Sequence, residues 1–458
     1  LTFKNNIVQA QGGGNTCFYA YTGFGASTTL DYNVYYPTVG AAVGYHAGAT
    51  RATLGEWRTS TGEDANTSSL DPLFVDAGSG DYHLSSTAGS WHGGAFTSDL
   101  VSSPAIDAGD PATALGDESS PNGGRINQGA YGGRAEASRT PSERMLVFLA
   151  PVGGESWFTG NHMLQWSLLG TGWAGAETLH IEYSSDGGVS WTTLAASVTA
   201  SDRQYPWNVD GLAGSPLCRI RLTCNEDASA TAESEDFRVG ATLSFYVNDA
   251  FTTNDVYCTA AGSDANSGVS PAVPKATVQA VVDTYNLEPG DTVYIDTGTY
   301  VLTANITIGV GDQGSSSVSV VFIGSTHADG STLDRNNTSS SSYVISLSGD
   351  YVRIENLGIT GGYFGVNCTG AGNEIRDCEV FANGNHGLYL SNTATVTGCV
   401  VRNNGTYGIY SAMDSGELAT ITANVVRDNA SYGIWAYAQY GSNTVSNNLV
   451  TGNGSHGL

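Results

Sequence analysis

The chain has 458 residues, with 43 acidic against 17 basic side chains and a formal net charge of −26, while charged residues make up only 13% and glycine alone supplies 60 positions. This balance excludes a disordered tail or a coiled coil and fits a loop-rich β protein; it also speaks against nucleic acid or an anionic membrane surface as partner, since both require local basic patches and none is visible. The acidity equally disfavours a polyanionic substrate unless calcium bridges it; colloidal repulsion in an extracellular medium is the plainer reading.

Seven cysteines leave at least one unpaired, so the chain carries no closed disulfide framework. Cys378 and Cys399 occupy one column a coil apart, within disulfide reach yet poorly aimed for it, and Cys218 and Cys224 share one face of a strand too far apart to join. No apolar run approaches the roughly 20 residues of a membrane span.

From residue 1 to about 138 the chain reads as the end and closure of a parallel β-helix. Phe3, Asn6 and Val8 fit the columns seen near the other terminus, so the chain is read as beginning inside a coil, a window of a longer polypeptide. The phrases LDYNVYYP (30 to 37), GDYHL (80 to 84), SPAIDAGDP (103 to 111) and PNGGRINQGAYGG (121 to 133) resemble the C-terminal ends of large secreted bacterial proteins of the right-handed β-helix, pectin-lyase-like class.

Residues 137 to 143, ASRTPSE, read as a linker. The segment 139–241 then alternates short strands with turns, and its opening resembles bacterial Ig-like or fibronectin-like modules. Trp157, Trp166 and Trp191 are its expected core. Within it SSDGGVSW (184 to 191) is expected as a hairpin; it is similar to the Asp-box of sialidase propellers, but a single copy makes no propeller.

The segment 242–458 reads as the N-terminal cap and first coils of a second β-helix, its start resembling the same class. A short helix is expected to plug the open end, with Val278, Val281, Val282 and Tyr285 on one apolar face. About seven coils follow at the strand spacing. The segments IENLGI, IRDCEV, VTGCVV, ITANVV and VSNNLV align so that Ile354, Ile375, Val396, Ile421 and Val445 form one column. A second runs Leu357, Cys378, Cys399, Asn424 and Asn448, and a third Ile359, Val380, Val401, Val426 and Val450. Asn383, Asn404, Asn429 and Asn453 follow, then Gly387, Gly408, Gly433 and Gly457. Repeats of 21 to 25 residues with this β-branched, Asn and Gly content point to parallel β-helix coils. Asparagine and glycine are expected at corners with left-handed backbone. The fold class is therefore all-β, with right-handed parallel β-helix segments flanking an Ig-like β-sandwich.

No catalytic constellation stands out. The acids of the coils share no column as a pair, and Arg402 and Arg427 read as a solvated edge. NHGL (385 to 388) and SHGL (455 to 458) are faintly similar to the GHG of polygalacturonases, but the accompanying signatures of that family are missing, and His386 and His456 share their column with Tyr407 and Tyr432. Tyr389, Tyr410 and Trp435 form an outward column that could carry pyranose rings, or simply pack ring on ring. Acid-rich phrases offer calcium candidate ligands, Asp107 and Asp110 of IDAGDPATALGDE (106 to 118) foremost, with GSDANSG (262 to 268) and VDAGSGD (75 to 81) beside them, although such phrases are usually turns; no other cofactor is indicated. The functional expectation is a structural or adhesive extracellular or cell-surface protein, with a polysaccharide-binding or polysaccharide-degrading β-helix as the alternative. Its partners are glycans or further copies of itself, since the two ends are spaced so that copies could continue one helix head to tail as a filament.

Overall fold

A computed structural model describes residues 1–21, 23–25 and 27–458. The chain forms two compact units, residues 1–240 and 241–458.

In the second unit three parallel sheets wind around one core. One has eight strands, from Ser244–Val247 to Ser442–Ser446; one has seven, from Gly298–Val301 to Leu449–Thr451; one has six, from Ile306–Ile308 to Ile434–Ala438. Pairing holds the columns in register. Ile354 faces Ile375, then Val396, Ile421 and Val445, and Ile359 leads through Val380, Val401 and Val426 to Val450. β-branched residues suit these positions because each strand is only three to five residues long and is covered on its inner side by the opposite sheets. The helix Val278–Thr284 starts at Thr277, whose side chain accepts from the Ala280 N–H. It buries Val278 and Val281, and the adjoining Tyr285 ring lies 4.7 Å from that of Phe245 in the first coil. Val282 is only half-buried.

The corners differ from the sequence-based expectation. The left-handed residues are not the ladder asparagines but their predecessors: Asn356, Asp377, Gly398, Ala423 and Asn447 before the second column, and Ala382, Asn403, Asp428 and Gly452 before the asparagine column. Each such residue turns the chain so that the next side chain points inward. Glycines 387, 408 and 433 are required for a different reason. A Cβ at Gly387 would sit 2.7 Å from the Gly408 carbonyl oxygen and 2.8 Å from Asn404 Nδ2, and Gly408 is as crowded by Gly433. Close approach of successive coils, not positive φ, excludes a side chain there.

In the first unit two coils stack in parallel: Thr2–Lys4 on Thr29–Asp31, Ile7–Gln11 on Val34–Thr38, and Thr16–Ala20 on Ala42–His46. The helix Leu54–Thr61 then packs against their core through Leu54 and Trp57, beside Leu30, Tyr35 and Val43. Thr53 and Glu56 close its start as a capping box, and Gly62 ends it in the left-handed conformation. Trp57 donates Nε1 to Asp64 Oδ2 at 2.8 Å, and the Arg58 guanidinium donates to the carbonyls of Asp64, Thr67 and Leu149, tying the helix to the strand Met145–Ala150.

Residues 145–239 form a three-stranded antiparallel sheet and a six-stranded sheet around one core. Trp157, Trp166 and Trp207 are buried in it; Trp191 is not, and instead lies half-buried with the Arg221 guanidinium 4.1 Å from its ring centroid. The expected linker is also packed rather than free: Ala137, Ser138, Thr140 and Pro141 are buried, and Thr140 Oγ1 donates to Asp107 Oδ1 at 3.0 Å.

Candidate functional site

The outward side of the six-stranded sheet in the second unit carries a continuous aromatic ladder. Tyr389 pairs with Tyr410 and Tyr410 with Trp435 in strand register. Tyr389 and Tyr410 stack with centroids 5.3 Å apart and planes within 7°. A second file lies beside them, in which Tyr343 stacks on Phe364, Phe364 on His386 and His386 on Tyr407, at 5.2, 4.9 and 4.8 Å. Tyr407 then stacks on Trp435 at 5.5 Å. Parallel in-register strands impose a spacing near ~4.8 Å, above the thickness of a ring, so identical columns of aromatics close onto one another. Tyr389 and Tyr410 thus turn ring faces to each other, whereas Tyr432 stands edge-on to Tyr407 and Trp435.

His386 is the base enclosed within the stack, with aromatic rings on both of its faces. Burial between rings pushes it down to about 4, so it is neutral at pH 7. Its Nδ1 lies 2.7 Å from Thr406 Oγ1. The arginines of the coils are likewise engaged. Arg353 donates to Glu374 at 2.6 Å and Arg402 to Glu379 at 2.6 Å, each across one coil, and Arg427 pairs with its neighbour Asp428 at 2.6 Å. Arg376 reaches back to Glu355 at 3.4 Å.

Asp107 and Asp110 are spent separately. Asp107 is buried; it accepts from Thr140, its Oδ2 has no partner among the described residues, and burial lifts its carboxyl to about 6, Glu118 adding repulsion. Asp110 accepts from Lys4 at 2.8 Å, and that ammonium holds it below the ordinary carboxylate range. These two carboxylates do not fit a calcium ion, and among the described residues no group of three or more His, Cys, Asp or Glu comes together to hold a metal. In the GSDANSG loop the carbonyls of Asp264 and Asn266 do gather around a cation, but it is the buried ammonium of Lys275, at 3.1 and 2.9 Å. Sequence reading missed this lysine, whose position after Pro274 gives no signal of its own.

The Asp-box-like hairpin satisfies itself: Asp186 accepts from Ser184 Oγ at 2.7 Å and from the Ser190 N–H at 2.9 Å, and Trp191 Nε1 donates to the Gly188 carbonyl at 2.9 Å. All seven cysteines are free thiols, with Cys378 and Cys399 buried in their column. No helix among the described residues is long and apolar enough to cross a membrane.

Residues 293–458 match the family model described as right handed beta helix region, and residues 5–109 match the one described as disaggregatase related. No curated protein matches the chain, and no solved structure does. With three parallel sheets wound over the same residues as the first match, residues 293–458 form a right-handed parallel β-helix.

Proposed function

We propose that the chain belongs to an extracellular structural or adhesive protein, in which the β-helix is a stiff rod and the two-sheet module, read as Ig-like, is a spacer domain. The observation that carries this reading is the direction of the polar and aromatic contacts in the coils. Asparagine ladders, ring stacks and arginine–carboxylate pairs run along the axis from one coil to the next, so the groups that could do chemistry are used to hold coils together. Continuous axial bonding gives stiffness, because each coil contacts its neighbours over its whole perimeter. The disaggregatase-related match over residues 5–109 supports a setting outside the cell.

Single-molecule pulling tests the reading. A rod yields in steps, coil by coil, with forces lowered when a ladder asparagine is removed. Shortening of acidic or neutral polysaccharides on incubation with the protein would overturn it in favour of an enzyme.

A further inference from the structure

Within the first unit a cavity of about 640 Å³ opens between the irregular closure of the coils and the three-stranded sheet. This size is ordinary for a small-molecule site. Its wall is unlike the rest of this acidic chain. Two of only 17 basic residues, Arg125 and Arg203, line it, together with the amides of Gln128, Gln165 and Gln204.

The two guanidiniums are presented differently. Arg125 is fixed: its Nε donates to the Gly109 carbonyl at 2.9 Å and its Nη2 to the Ala108 carbonyl at 3.1 Å, leaving Nη1 without a hydrogen-bond partner among the described residues. Arg203 is exposed, and its guanidinium has no hydrogen bond or ion pair among the described residues. Its backbone, however, is held. The Arg203 carbonyl accepts from the Trp166 N–H at 3.1 Å, its own N–H donates to the Ala200 carbonyl at 3.2 Å, and φ is 57°.

The amides add unfilled capacity. Gln128 is 3% exposed; its Nε2 donates to the Tyr32 carbonyl at 2.7 Å and its Oε1 is buried with no partner among the described residues. Gln165 and Gln204 line the same wall, and among the described residues their side-chain amides have no hydrogen-bond partner. Guanidinium nitrogens recognise a carboxylate, and amides both donate to and accept from hydroxyl groups. Asp202 on the rim and the net charge of −26 disfavour a polyanion.

We propose that this cavity binds a sugar acid, a single carboxylate on a hydroxyl-rich ring, with Arg203 and Arg125 on the carboxylate and Gln128, Gln165 and Gln204 on the hydroxyls. The site is independent of the rod: it lies in the other unit and uses none of the ladders.

Isothermal titration of the full chain with glucuronate, glucose and acetate tests the assignment. Glucuronate is expected to bind at least about tenfold more tightly than either control, because only it offers both groups. Arg203→Glu and, independently, Ala65→Trp at the exposed rim should each weaken that binding at least about tenfold while the melting temperature stays unchanged. A disaccharide ending in glucuronate separates the sources: tighter binding than the free acid assigns the end of a glycan, weaker binding assigns the free sugar acid. No heat with glucuronate, equal affinity for glucose, or undiminished binding by both variants would overturn the proposal. Should Arg203→Glu fail to fold, the wild-type comparison and the rim variant still decide.

Discussion

Asn404 Oδ1 accepts two hydrogen bonds from Asn383 one coil earlier, from its backbone N–H at 3.1 Å and from its Nδ2 at 3.0 Å. Asn404 repeats the pattern as donor, giving its own N–H and Nδ2 to Asn429 Oδ1 at 3.1 and 2.9 Å. Each amide thus satisfies a buried backbone group and a buried side chain at once, and the chain of amides polarises along the axis.

Replacing Asn404 by alanine therefore orphans groups on both neighbouring coils. The expected loss is about 3 kcal/mol, since each buried unsatisfied donor or acceptor costs about 1–3 kcal/mol and relaxation recovers part of the sum. Asn404→Asp should fare no better, because a carboxylate accepts from Asn383 but cannot donate to Asn429. Urea denaturation followed by tryptophan fluorescence and circular dichroism reads the change.

His386 sets a pH dependence. Its folded value, pushed down to about 4, lies below the ordinary imidazole value, so the unfolded chain binds more protons between the two. Stability contributed by this group is full above about pH 6.5, falls as the pH drops toward 4, and levels off below. His386→Phe keeps a ring in the stack and should flatten that limb. Chemical denaturation at pH 4.5 and 7.5 compares the two proteins, and an imidazole NMR titration with a midpoint near 6.5 would contradict the buried stack.

Asp107 has the opposite sign. Burial raises its folded value to about 6, so the contribution is most favourable below the unfolded value near 4 and is lost as pH rises through 6. Asp107→Asn preserves an acceptor for Thr140 without a buried charge. It should stabilise the protein by about 2 kcal/mol at pH 8 and have little effect at pH 4. Thermal melts at the two pH values are the check.

Lys275→Met removes the cation that gathers the Asp264 and Asn266 carbonyls. The expected cost is about 2 kcal/mol, with two buried acceptors left without their charged donor. Hydrogen exchange at residues 262–268 should accelerate more than exchange in the later coils.

The coils were legible in the sequence because each column is sampled four or five times, and a repeated residue type averages out local ambiguity. The inward set headed by Ile354 and Ile359 follows from this alone. The helix Leu54–Thr61 was not, despite its capping box at Thr53 and Glu56, because it occurs once and its apolar residues Leu54 and Trp57 are too few to show a period. The roles of the corner residues were misjudged by one position, since the left-handed φ at Asp377 or Ala423 leaves no mark on residue type as varied as Asp, Ala, Asn and Gly. Trp191 and Trp207 could not be sorted between core and surface by composition; Trp207 packs into the shared core, whereas Trp191 lies under the Arg221 guanidinium. Arg125 and Arg203 come from separate stretches of chain and meet only once the closure and the three-stranded sheet have folded.

The ladder spacing is 21 residues from Asn383 to Asn404, 25 to Asn429 and 24 to Asn453, yet the hydrogen bonds along it hardly change. The additional length is taken up at one corner, where the strands Ile409–Met413 and Leu418–Thr422 run longer than Leu388–Leu390 and Ala394–Thr397 and are joined by a turn at 414–417. Lengthening an outward loop adds little closure entropy. Variation can therefore accumulate at that corner, as a fringe of changing loops along an invariant spine, and new surface can be acquired there without renegotiating the interior.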